Sequence, residues 1–252
     1  MSRRLRAPVD ALEVGERALA KETALYVTRV HRLAEGDVFT AFDPERAIEG
    51  DARITAIGPR SVVVVIEAVR PAEVTAPRPV TLVQALGKGD KLDAIVRDAT
   101  ELGATRIAPV LAERSVVRPA DVAGRAQRWR RIAVEAARQC GRGDVPQIDA
   151  PIPLIEAVRA LAPAPLPAAR PWGACLAPGG SASLGALLHE LAPGEGFTVV
   201  VGPEGGLSPA EIAACEERGL AVAGMGPLVL RTETVCAAVL GALLILAPGA
   251  RP

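Results

Sequence analysis

"VVVGPEGGLSPAEI", residues 199–212, is the stretch on which the fold turns. A β-branched run feeds a glycine-rich turn, and the turn feeds a helix start. Ser208 suits the N-cap, Pro209 the first helical position, and Glu211 completes a capping box. A loop ahead of a helix N-terminus is ordinarily an anion site. Here the centre of the loop holds Glu204 and no lysine, so the P-loop pattern is absent, as is the G-x-G-x-x-G dinucleotide fingerprint. A carboxylate there repels phosphate. It suits a ligand that is uncharged or cationic at that point and is held by backbone N–H and C=O groups. S-adenosylmethionine, with its sulfonium, α-amine and adenine, meets that description. A plain tight turn with Glu204 in solvent also fits, and the loop alone does not choose between them.

A second stretch, "GMGPLVLRTETVCAAVLGALLIL" at 224–246, has the same layout. Gly224, Gly226 and Pro227 form an irregular turn at a strand end. Arg231 follows apolar Val229 and Leu230, Thr232 is placed to cap, and Glu233 favours a helix N-terminus by its charge. Arg231 reads either as a functional cation or as a surface ion-pair partner. The helix beyond is apolar on every face and too short to cross a bilayer, so it is buried in its domain or packed on a partner. Two glycine turns at the ends of two strands is where α/β sheets bind ligands.

Outward from these loops, strands alternate with helices. "VTLVQAL" (80–86), "TRIAPVLA" (105–112), "ACLAP" (174–178), "FTVVVG" (197–202) and "AVAGMG" (221–226) read as strands. "DKLDAIVRDATELG" reads as a helix with Leu92, Ile95, Val96, Ala99 and Leu102 inward and Gly103 as its stop. "GRAQRWRRIAVEAARQCG" reads as a helix with Ala126, Trp129, Ile132, Ala133 and Ala136 inward. "SLGALLHEL" and "PAEIAACEERG" are further helices. The alternation implies a parallel sheet in an α/β domain. Residues 36–70 read instead as strands without helices, and the proline-marked "RPAEVTAPRP" (70–79) as a linker. The first 70 or so residues then form a small, mostly β domain.

The chain has 252 residues, half of them hydrophobic but six aromatic, so its core must be aliphatic and alanine-rich. No apolar run reaches about 18 residues, and "MSRRLRAPVD" lacks the apolar segment of a signal peptide. Four separated cysteines without a C-x-x-C read as reduced thiols of a cytoplasmic protein, with no metal site. Net charge is zero, yet Arg114 to Arg142 carries eight arginines against Asp121 and Glu135, and Arg3, Arg4 and Arg6 crowd the N-terminus. Such a surface binds RNA or DNA, or is a solvated helix face in an arginine-biased chain; charge alone does not choose.

"GPEGGLSPAE" followed by "GPLVLRTET" resembles the RsmE family of the SPOUT superfamily, bacterial methyltransferases acting on uracil N3 in small-subunit (16S) rRNA. "RVHRLAEGD" (29–37), "KGDKLDAIVRDATELGA" (88–104), "ERSVVR" (113–118) and "WRRIAVEAARQCGRGDVPQI" (129–148) are similar to further segments of that family. The resemblance implies a PUA-like β domain at 1–72 that binds RNA. After it comes an α/β domain at 73–252 tied in a trefoil knot. S-adenosylmethionine would lie in the knot, held by Leu176, Gly202, Pro203, Gly205, Gly206, Met225, Gly226, Pro227, Leu230 and Thr232. The apolar closing helix would form a homodimer. Departures are Tyr26 where the family usually has His, Asp98 for Lys or Gln, Leu228 for Arg, and His31 at an aliphatic position.

Methylation of uracil N3 removes the ring N–H, so it needs alignment and help with developing negative charge. Arg231 is expected to orient the uracil and stabilise its anion. Glu204 is expected to accept the N3 proton or to position a group. Arg3, Arg6, Arg29, Arg32, Lys88 and Arg114 are expected on the RNA, with Gln139 and Arg142 reaching it across the dimer. A SPOUT ribose 2′-O-methyltransferase would share the knot. A non-catalytic RNA-binding module would keep the basic surface and lack cofactor affinity.

Overall fold

The computed structural model describes residues 4–59, 61–116, 124–161 and 171–246. They fall into two compact units. The first comprises the residues up to Thr75 together with Val134–Val145; the second comprises Ala76–Ala133 and the chain from Pro146 onward.

The first unit is a five-stranded sheet in the order β1-β3-β4-β5-β2. The long strands β3 (Val38–Asp43), β4 (Ile48–Ile57) and β5 (Val62–Pro71) form an antiparallel meander. On β5, Val62, Val64 and Ile66 are buried at every second position, the period of a half-buried strand. They pack with Leu12, Val27, Phe39, Ala41 and Ile54 into one cluster. Two short strands that carry no hydrophobic alternation complete the edges. β1 (Arg6–Pro8) lies parallel to β3, and β2 (Gly15–Ala18) antiparallel to β5. Helix α1 (Lys21–Leu25) runs into a single π-helical turn, Tyr26–Val30.

The second unit is a wholly parallel sheet, β11-β13-β10-β12-β6-β7-β8, with the short β9 (Ile152–Pro153) also paired to β7. Its centre is β12 (Phe197–Val201) between β10 (Gly173–Leu176) and β6 (Val80–Ala85), with β7 (Arg106–Leu111) beyond. β8 (Gln147–Ile148), β11 (Ala182–Ser183) and β13 (Ala221–Gly224) fill the flanks. Both sheet faces are covered, so the strands read as continuous apolar runs. On one face Leu82, Phe197, Val199 and Val201 pack against α2 (Lys91–Glu101), Trp129 and Ala133 of α3 (Arg125–Cys140), α5 (Leu184–His189) and α7 (Thr232–Leu246). On the other, Val83, Val110, Cys175 and Val200 pack against α4 (Leu154–Ala160) and α6 (Pro209–Glu217).

Most sequence expectations hold in this frame. The inward faces of α2 and α3 are buried or partly buried as their periodicity requires. The capping box at Ser208 forms with Pro209 at the helix start. Helix α4 was not anticipated, and neither were the two-residue strands, which are too short to carry a period. The stretch expected as a linker is partly structured: β5 runs through Pro71, and buried Arg78 donates to the Glu195 carbonyl at 3.0 Å. Thr232 does not cap α7. It is the first helical residue, and its hydroxyl donates to Glu233 instead. The closing helix is not uniformly buried either. Cys236, Val239, Leu240 and Leu243 pack inside their own subunit, while Thr234, Ala238 and Leu244–Leu246 are exposed.

Candidate functional site

All the loops leaving the parallel strands in the chain direction lie at one edge of the second unit's sheet. The chain starts that sheet at β6, adds β7 on one side, and later adds β12 on the other, so strand order reverses beside β6. Ligands of open α/β sheets bind at such a reversal. The loops after β6 and β12 meet there: a methyl group on Gly87 would come within 3.3 Å of Glu204 Oε1.

The glycine loop is built tightly below and openly above. Gly206 N–H donates to the Pro203 carbonyl at 2.8 Å, closing a turn. Gly206 takes φ +70°, where an L side chain is strained, and nothing lies within 4 Å of where its Cβ would be. A Cβ on Gly202 or Gly205 would instead press on Leu207 or Arg114. Buried Glu211 fixes this loop to the next one. One carboxylate oxygen accepts the Ser208 N–H at 2.8 Å and the other accepts the Glu113 N–H at 2.8 Å. Arg114, following Glu113, donates to the Gly205 carbonyl at 3.1 Å.

The second loop leaves β13. Gly226 takes φ +120° with open space at its Cβ position. Leu228 and Val229 are 77% and 86% exposed, and Met225 is 37% exposed. Leu176, partly buried at the end of β10, lies between Val201 of β12 and Ala223 of β13. The turn after it lies directly on β13, because a Cβ on Gly180 would sit 2.6 Å from the Ala223 carbonyl carbon. Bare backbone at Gly206 and Gly226, with apolar side chains and no phosphate-type cradle, fits a neutral or cationic cofactor of the S-adenosylmethionine kind.

A charge cluster closes the mouth. Lys91 Nζ lies 2.5 Å from Glu204 and 3.8 Å from Glu233, with Arg231 within electrostatic reach. The Lys91 hydrogen bond holds the Glu204 carboxyl below its ordinary range, and the same bond raises the Lys91 ammonium. Glu204 is therefore committed to an ion pair, and a carboxylate so stabilised is a poorer base than a free one. Lys91 and Glu233 were not among the expected site residues, although one signal for Lys91 was legible. It is the first residue of α2, where a cation opposes the helix dipole.

The residues expected on RNA divide. Arg29, Arg32, Lys88, Arg114 and Gln139 are exposed. Arg3 lies outside the described residues. Arg6 and Arg142 are less accessible, and both guanidinium groups serve internal ion pairs. Arg6 is 2.9 Å from buried Glu49, and Arg142, itself buried, grips Asp144 through two N–H groups at 3.0 and 2.7 Å. Desolvated cations need such partners, and spacing in the sequence does not reveal them. Tyr26 meets His31 edge-on, and Asp98 pairs with Arg97.

A family model described as an RNA methyltransferase domain matches residues 74–244, and one described as an RNA methyltransferase PUA domain matches 19–67. The ribosomal RNA small subunit methyltransferase E of Synechocystis is 32% identical over 87% of this chain and 70% of its own length. The chain belongs to the ribosomal RNA small subunit methyltransferase E (RsmE) family. The Bacillus subtilis RsmE protein is 34% identical over 63% of this chain and 62% of its own length. The Neisseria gonorrhoeae RsmE protein, solved bound to S-adenosyl methionine, superposes with a TM-score of 0.83 at 27% identity, covering 97% of this chain and 98% of that one. The architecture is accordingly that of the RsmE family, a PUA-like β domain followed by a SPOUT-type α/β domain. Among the described residues no helix is long and apolar enough to cross a membrane.

Proposed function

We propose that this chain transfers a methyl group from S-adenosylmethionine to N3 of a specific uridine in small-subunit (16S) rRNA. The observation that carries the reading is the pairing of two open glycine backbones, Gly206 and Gly226, with a charge cluster of Lys91, Arg231, Glu204 and Glu233 at the strand reversal of an RsmE-family sheet. The cofactor, when bound, supplies an electrophilic methyl group. Leu176, Gly202, Pro203, Gly205, Gly206, Met225, Gly226, Pro227, Leu230 and Thr232 would hold it.

The protein's own task is to align the uracil and tolerate its charge. Losing the N3 proton spreads negative charge over the ring nitrogen and its two carbonyl oxygens. Arg231, exposed just before α7, orients the ring and stabilises that charge. Lys91 adds a second cation held in place by Glu204, whose part is positioning rather than proton uptake, and the N3 proton leaves to solvent water. Arg29, Arg32, Lys88, Arg114 and Gln139 meet the RNA. The reading includes the trefoil-knotted path, the boundary at residues 72 and 73, and a homodimer packed through the exposed strip of α7.

A methyl-incorporation assay on small-subunit rRNA, with the modified nucleoside identified by mass spectrometry, tests the function. Arg231→Ala is expected to keep cofactor affinity and lose about 2–4 kcal/mol of transition-state stabilisation. Methylation at a ribose 2′-hydroxyl would overturn the reaction assigned, and near-normal turnover by the variant would remove Arg231 from the mechanism.

A further inference from the structure

The first unit contains a cleft of about 240 Å³ lined by Arg4, Leu5, Arg6, Tyr26, Arg138 and Gln139. We infer that this cleft is a docking site for a single unpaired nucleotide of the RNA substrate, with the stacked Tyr26–Arg138 pair as its platform. The inference rests on the RNA-methylating function proposed above.

Four observations point to it. The first is charge. No carboxylate lines the cleft; the two acids behind it, Glu49 and Asp51, are shared by Arg4, Arg6 and Arg70. Three cations against two anions leave one positive charge, and Arg138 adds another. Among the described residues Arg138 pairs with no carboxylate, so the site attracts an anion such as a phosphodiester.

The second is preorganisation. Arg6 is fixed three ways: by Glu49 at 2.9 Å, by the Arg142 carbonyl at 3.5 Å, and over the Phe42 ring at 5.2 Å. Arg4 is set by Asp51 at 2.7 Å. Guanidinium groups already held in place lose little freedom on binding.

The third is the platform. Tyr26 is the one tyrosine in the chain. The Arg138 guanidinium carbon lies 3.8 Å from its ring centroid, and His31 meets the ring at 4.5 Å between centroids. A guanidinium plane resting on an aromatic ring is a surface on which nucleobases stack, whatever their identity. Gln139, exposed beside Arg138, offers an amide donor and an amide acceptor, the groups that read base edges.

The fourth is size. Sites for drug-sized ligands start near about 300 Å³, so this cleft suits one base and its phosphate, not a folded RNA element or a peptide segment. Exposed Arg29 and Arg32 follow Tyr26 in the chain and add positive charge to the same unit.

The test uses the full chain and a short single-stranded oligoribonucleotide carrying 2-aminopurine, whose fluorescence falls on stacking. The wild-type protein is expected to quench it on binding. Tyr26→Leu and Arg138→Leu should each weaken binding about tenfold and abolish the quench, since base stacking on such platforms is worth about 1–3 kcal/mol. Tyr26→Phe should keep both, and all three variants should keep S-adenosylmethionine affinity, which reports that the protein is folded. Wild-type quenching by the two leucine variants, with rRNA methylation intact, would overturn the docking site alone. Displacement of the oligonucleotide by millimolar inorganic phosphate with no stacking signal would show a bare anion site and overturn it too. A wild-type protein that neither binds nor methylates RNA would sink the proposed function and this inference with it.

Discussion

Glu211 is the residue whose removal most directly tests how the glycine loop is held. Its carboxylate is buried and accepts two backbone N–H groups at 2.8 Å, one from Ser208 and one from Glu113. Glu211→Ala strands both donors. The Ser208 N–H is buried and loses about 1–3 kcal/mol, whereas water reaches the Glu113 N–H, which loses about 1 kcal/mol. The helix cap itself survives in part, because Ser208 Oγ still accepts the N–H of residue 211 at 3.4 Å. The expected cost is therefore about 2–4 kcal/mol, which for a chain of this size lowers the melting temperature by about 4–16 °C. Glu211→Gln should fall between, since one amide oxygen still accepts while the NH2 group now faces a donor. Because Glu113 precedes Arg114, which holds the Gly205 carbonyl, both variants should also weaken S-adenosylmethionine binding in calorimetry. Differential scanning calorimetry decides the stability claim. A Glu211→Ala protein melting within about 2 °C of wild type would refute it.

Gly206→Val puts a β-branched residue at φ +70°, so cofactor affinity should collapse in titration calorimetry with the secondary structure retained; unchanged affinity would reduce the loop to a plain turn. The Glu204 carboxyl titrates below its ordinary value of 4.5, so the Lys91–Glu204 pair stabilises the fold above that pH and the contribution fades as pH falls through the lower folded value. Lys91→Met should move the Glu204 titration upward by NMR, and a titration that stays put would dissolve the pair. A hydrogen bond with Cys215, together with burial, raises the Cys175 thiol, burial raises the Cys236 thiol to about 12, and Cys215 is buried too. Alkylation of the native protein near neutral pH should therefore label Cys140, and mass-mapped labelling of Cys236 would contradict its packing. Ile245→Glu, on the exposed strip of α7, should lower dimer content in sedimentation, whereas Val239→Glu should unfold the subunit because Val239 is buried within it.

The sequence was most informative where one residue type has one physical use. The capping box at Ser208 and Glu211, the apolar stripe of α2 and the parallel alternation after residue 80 all follow from local rules, and the structure contains each. It was least informative where the partner is distant in the chain. Nothing near Arg6 announces Glu49, and nothing near Glu211 announces Glu113, 98 residues away. The sequence therefore marked Arg6 and Arg142 for RNA without showing that each also neutralises an internal acid. Lys91 was legible in principle, as a cation at the wrong end of a helix, but the glycines beside it drew the reading. The closing helix was read from composition as featureless; tertiary packing gives it an inside and an outside.

The first compact unit is discontinuous in the chain, since residues 134–145 belong with the residues up to Thr75. A ribosome delivers the amino-terminal strands early and this closing segment late, after all of residues 76–133 have emerged. Until then the sheet exists without the segment that supplies Arg138 and Gln139 to its cleft. Loop-closure entropy makes such non-local completion slow. The cleft is thus completed later than a contiguous module's would be. A fragment cut at Thr75 is not a miniature of the domain but a version arrested partway through biogenesis.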